Sequence, residues 1–249
     1  MAVSTSGKAV RPGGGLRGYL AATRKPLVSV AVTLPLLLLY NVGLVMPGNR
    51  EMNAADLLSR TVVFFSGWRG FLVLNATLVL ASIVMIGVLI RRGQFRPLHW
   101  VALCCEGLFY GLLMGHGVVW AMGHAHLLSV LVPDKPSFLQ ALSMSAGAGY
   151  WEELVFRLGL VGLPIAIAQR RAVGKAGILK VVGVACGAVA VSSFLFSLAH
   201  YVGGIETPEA YTFWYRTFSG VVFSAVFLSR GFAVAAYTHF LYDVVVMVF

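Results

Sequence analysis

The sequence predicts an all-α polytopic membrane protein, a bundle of about seven transmembrane helices around an intramembrane polar site. Three observations predict it. Of 249 residues, 59% are hydrophobic and 11% charged, with a mean hydropathy of +0.85, too little polarity for a globule whose surface faces water. The apolar residues fall into runs of about 20, the length of a helix that crosses the hydrocarbon core. Several runs contain ionisable residues, and burying each of these in a bilayer costs at least ~2.5 kcal/mol.

The elements follow in chain order. Residues 1–25 form a basic, Gly-rich tail, and the apolar run behind it has no small-residue cleavage site, so the first span reads as a retained anchor. Candidate spans are 26–46, 71–90, 98–120, 138–168, 178–200, 210–228 and 232–249. Segment 51–70 is weaker, because Asp56, Arg60 and Arg69 interrupt Val62, Val63, Phe64 and Phe65; an interfacial amphipathic helix is expected there. Residues 26–137 are the N-terminal membrane helices and 138–249 a second group. No internal repeat is visible, and the loops are too short to fold alone.

The net charge of +10 would suggest nucleic acid in a soluble protein. Here it reports topology. Lys8, Arg11, Arg17, Arg24 and Lys25 precede the first span, Arg91, Arg92 and Arg96 follow the second, and Arg170, Arg171, Lys175 and Lys180 follow the fourth. The alternate loops carry Asp134 with Lys135, and Glu206 with Glu209. The positive-inside rule then puts the N-terminus in the cytoplasm and the C-terminus outside. Cys104, Cys105 and Cys186 lie in apolar stretches without metal or disulfide spacing and read as small core residues.

The fourth span contains Tyr150-Trp151-Glu152-Glu153-Leu154-Val155-Phe156-Arg157. On an α-helix Glu153 and Arg157 share a face at i, i+4, and Glu152 points about 100° away. One carboxylate is paired and the other free, which makes Glu152 the candidate general base. The fifth span ends in Phe196-Ser197-Leu198-Ala199-His200, and the seventh holds His239-Phe240-Leu241-Tyr242-Asp243, with His239 and Asp243 at i, i+4. A His can polarise a water or donate to an oxyanion. Glu with two His is also the inventory of a metal site, although no His-Glu-x-x-His run is present.

Glu-Glu-x-x-x-Arg, Phe-x-x-x-His and His-x-x-x-Asp, each on its own helix and in this order, resemble the family of CAAX prenyl proteases and bacteriocin-processing proteins (CPBP). The similarity spans about Gly147 to Asp243. It implies that 138–249 are the catalytic helices of a glutamic intramembrane endopeptidase. By this resemblance Glu152 activates a water, His200 helps to hold it, and His239 with residue 243 stabilises the oxyanion. Glu153, Arg157 and Phe196 complete the motifs as supporting residues. Familiar members have Asn where this chain has Asp243, and an ionised Asp cannot donate to an oxyanion; Asp243 either stays protonated or orients His239.

The resemblance implies no cofactor and no metal, and as partners a membrane-embedded or membrane-anchored protein or peptide and the lipid bilayer. A sorting anchor, leader or CAAX-like C-terminus is the expected substrate. With the inferred topology Glu152 and His200 lie in the outer half of a bacterial inner membrane, which fits the sortase-like (myxosortase-like) branch. The rival classes are a proton-coupled transporter or channel, since Glu, His and Asp chains also build proton relays, and a non-catalytic immunity or interaction protein. Glu106 and Asn75 are left outside the site, either partnering Arg157 or bonding across helices. His116, His124 and His126 read as interfacial. Gly147 and Gly149 either admit another helix or loosen the segment for substrate.

Overall fold

The computed structural model describes residues 15–46, 52–94, 96–123, 136–202 and 207–248. Lys8, Arg11, His124, His126, Asp134, Lys135 and Glu206 lie outside the described residues. The described elements are helical: α1 (Leu16–Thr23), α2 (Pro26–Val45), α3 (Leu57–Arg91), α4 (Pro97–Ala121) and α5 (Phe138–Gly147). A π-helical segment (Ala148–Gly162) carries α5 without interruption into α6 (Leu163–Arg170); α7 (Gly174–Ala199), α8 (Ala210–Arg230) and α9 (Phe232–Val248) follow. Each expected span coincides with helix. By length and composition α2, α3, α4 and α7 are apolar enough to cross a membrane, and α9 is a shorter apolar helix.

Local chemistry sets the ends. Pro26 and Pro97 open α2 and α4, where the missing N–H costs nothing. Ser137 and Gln140 form a capping box at the start of α5. Asp56, read from the sequence as an interruption, instead caps α3 by accepting from the Ser59 N–H at 2.8 Å. Burial raises its carboxyl above the ordinary range, against the lowering effect of that N–H. Helix α3 breaks at Gly67, whose φ of 63° suits a residue without Cβ. The break falls close to the expected boundary between an interfacial helix and a span.

Helix α9 is central, packing against α4, the π-helical segment, α5, α8 and α2. Only Gly231, with φ 91°, separates it from α8. Small residues bring α4 close: a Cβ on Gly107, Gly111 or Gly115 would lie 3.0 Å from the Tyr237 carbonyl carbon, 3.1 Å from the Thr238 carbonyl oxygen and 2.9 Å from the Tyr242 ring. Such Gly-x-x-x-Gly stripes let membrane helices meet backbone to backbone.

The same logic settles Gly147 and Gly149 as sites of close approach. A Cβ on Gly147 would lie 2.5 Å from the Tyr40 ring, and one on Gly149 2.6 Å from the Ala236 carbonyl oxygen. Gly149→Ala is therefore expected to lose about 1–3 kcal/mol through overpacking. Denaturant unfolding in detergent measures it, with Gly159→Ala, whose added methyl would meet only the Leu154 carbonyl oxygen at 3.5 Å, as the milder control.

Glu106 does not reach Arg157. It accepts from Arg230 Nε at 2.5 Å and Nη2 at 3.0 Å, and from the Tyr19 hydroxyl. Burial, then Glu106, push the Tyr19 phenol up, so it remains a donor. This buried cluster holds α1 against α4 and α8. Asn75 bonds within its own helix, to the Phe71 carbonyl at 2.8 Å. His116 is exposed, with Nδ1 2.8 Å from the Leu112 carbonyl. Cys104 is half-buried against the core, but Cys105 and Cys186 are exposed rather than core residues, on helix faces that composition alone cannot tell from interior ones in a lipid-facing bundle.

Candidate active site

Glu152 and Glu153 sit on the π-helical segment, where the closing bond runs from the Leu163 N–H to the Leu158 carbonyl, five residues back. The sequence predicted an ordinary α-helix here. Wider turns of this kind recur at functional sites, and here two consecutive carboxylates meet different partners while both approach His239. Glu153 is fully buried between an imidazole and a guanidinium: Oε1 lies 2.8 Å from His239 Nδ1, and Oε2 lies 3.4 Å from Arg157 Nε. The expected pair Glu153–Arg157 is present.

Arg157, also fully buried, has its guanidinium carbon 4.4 Å from the Phe196 ring centroid and 5.2 Å from that of Phe223. Two aromatic faces and one carboxylate replace its water. Phe196 thus has a physical role: its ring also meets His200 edge-on at 5.2 Å and His239 at 5.8 Å. Phe223 stacks on His239 at 4.4 Å. The Ser192 hydroxyl donates to the Phe156 carbonyl at 2.6 Å and ties α7 to the segment.

Glu152 is not free, as the sequence suggested. Its Oε1 accepts from Asn53 Nδ2 at 2.7 Å, from the loop between α2 and α3. Its Oε2 lies 3.9 Å from His239 Nε2, and Asp243 Oδ2 lies 3.5 Å from the same nitrogen. These are electrostatic contacts, too long for direct hydrogen bonds of good geometry. Because Nδ1 donates to Glu153, a neutral His239 would turn its Nε2 lone pair toward two carboxylates. The arrangement is favourable only when Nε2, Glu152 or Asp243 carries a proton.

Glu152, His239 and Asp243 border a cavity of about 490 Å³, lined also by Asn53, His200 and Arg216 among others. Methionines 52, 144 and 247 supply apolar wall. That volume is in the range of ligand sites. His200 ends α7, with Nδ1 2.9 Å from the Phe196 carbonyl; since a carbonyl only accepts, Nδ1 holds the proton and a neutral ring has its lone pair on Nε2. Asn53, Phe223 and Arg216 were missed from sequence. Asn53 lies in a loop with no motif, whereas Arg216, a cation in a nominal span, carried the same signal as Arg157. Among the described residues no cluster of three or more His, Cys, Asp or Glu is arranged to hold a metal ion.

Fold and site define an all-α membrane protein with a carboxylate–imidazole cluster built into its helices. Residues 134–245 match the family described as Rce1-like, type II CAAX prenyl endopeptidase. Over this C-terminal stretch the chain is similar to that family of membrane peptidases. No curated protein and no solved structure matches the chain.

Proposed function

We propose that the protein is an intramembrane endopeptidase of glutamic type, in which Glu152 activates a water against a peptide carbonyl. The observation that carries this reading is the placement of Glu152: one oxygen is held by Asn53 and the other faces His239 Nε2 across 3.9 Å, at the edge of the cavity. A gap of that length suits a bridging water or carbonyl oxygen. Glu152 takes the water's proton as the hydroxyl adds to the scissile carbonyl, then passes it to the leaving amine as the C–N bond breaks. His239 Nε2, protonated, donates to the oxyanion, and His200 helps hold the water.

Glu153 gains a role that the motif alone did not supply. By accepting from His239 Nδ1 it fixes the ring and leaves Nε2 for the reaction. Asp243, at the reacting nitrogen rather than the orienting one, supports the reading that it shares the proton. Arg157 and Phe196 brace Glu153 and the two imidazoles.

The substrate in this proposal is a membrane-anchored protein cut beside its hydrophobic segment, such as a sorting anchor, leader or CAAX-like C-terminus. In this proposal the N-terminus lies in the cytoplasm of a bacterium and the site opens outward; the alternation of basic loops is what supports that orientation. The test compares membrane proteomes of cells carrying wild type or Glu152→Gln for termini next to hydrophobic tails. Wild-type-specific termini support the proposal; identical termini with Glu152-dependent proton or solute flux in vesicles would replace it with transport.

A further inference from the structure

The N-terminal half of the chain lies outside the matched stretch, yet one of its residues touches the carboxylate on which the proposed reaction turns. We infer that Asn53 is a positioning residue for Glu152, so that the site is completed by the α2–α3 loop. This inference rests on the glutamic-peptidase reading.

Three features fix the Asn53 amide. Its Oδ1 accepts from the Ala55 N–H at 2.9 Å and its Nδ2 donates to Glu152 at 2.7 Å, so a flipped amide would set N–H against N–H and oxygen against carboxylate. Its backbone N–H donates to the Tyr40 hydroxyl at 2.9 Å. Arg60 Nη2 donates to the Met52 carbonyl at 2.9 Å and closes the loop from the other side.

Tyr40 in turn is buried and packs on Gly147, while the Ser143 hydroxyl donates to the Tyr40 carbonyl at 3.2 Å. Asn53 is therefore tied through Tyr40 of α2 to α5, the helix that leads into the Glu pair. A charge-assisted N–H···O bond on one carboxylate oxygen fixes the rotamer and turns the other oxygen to the reacting side.

The two roles open to Asn53 predict opposite orders of substitution. Asn53→Asp keeps the oxygen that accepts from Ala55 and the backbone bond to Tyr40 but sets a second carboxylate against Glu152. Asn53→Ala removes both side-chain bonds and adds no repulsion. If Asn53 only shapes the turn, Asp is the better replacement. If it positions Glu152, Asp is the worse.

The experiment measures kcat and KM for cleavage in proteoliposomes, per mole of folded protein determined by size exclusion and circular dichroism, with Glu152→Gln in parallel. The expected result is a fall in kcat of about 10- to 100-fold for Asn53→Ala, a larger fall for Asn53→Asp, and KM within about twofold of wild type in both. An Asp variant as active as the Ala variant or more so, or kcat unchanged in both, overturns the inference. If Glu152→Gln is itself active, the peptidase reading fails; if it is inactive while Asn53→Asp cleaves normally, only the role of Asn53 fails.

Discussion

Glu152→Gln is expected to lower peptide cleavage by about 100- to 10,000-fold, the usual contribution of a positioned general base, while leaving the unfolding midpoint close to that of wild type. Gln keeps the shape of the side chain and an oxygen to accept from Asn53, so the loop stays docked; what is lost is the ability to take a proton. KM should change little, since a group that acts on the attacking water works mainly in the transition state. The rate is read in proteoliposomes on a peptide identified from the proteome comparison. A variant that loses activity and also unfolds would speak for a structural Glu152 instead.

Arg157→Met is expected to have the largest effect on stability, about 3–5 kcal/mol, because it leaves the fully buried Glu153 with its contact to His239 but without its guanidinium. Glu153→Gln alone should be costly for the mirror reason, an unpaired guanidinium between two phenyl rings. The double variant should recover much of the loss, since replacing a whole buried pair costs far less than breaking it. Denaturant titration in detergent of both single variants and the double gives the coupling energy directly. Activity should not recover with stability in the double variant, because a neutral amide in place of the Glu153 carboxylate no longer holds the imidazolium of His239.

The helices were legible because a bilayer demands long apolar runs, and those survive any packing detail. So were Glu152, Glu153, Arg157, His200, His239 and Asp243, since ionisable residues stand out against apolar neighbours. Their partners were not. The periodicity of an α-helix put Glu152 on an empty face, and the π-helical register together with a loop nearly one hundred positions away filled that face with Asn53. Nothing at Asn53 stands out in a list of residues, because a loop Asn is ordinary. Glu153 was read as a brace for Arg157; that it also holds His239 depends on the approach of α9, which Gly149 and Gly231 permit. The stripe Gly107, Gly111, Gly115 was present as a pattern and identifies the face of α4 that meets α9.

Direct attack on the peptide by a water held by Glu152 is tested by single-turnover cleavage in ¹⁸O-labelled water with enzyme in excess over substrate. One ¹⁸O atom is expected in the new C-terminal carboxylate from the first turnover, in a reaction that Glu152→Gln does not support. An unlabelled carboxylate in that first turnover, its oxygen having come from a side chain of the enzyme, would contradict it.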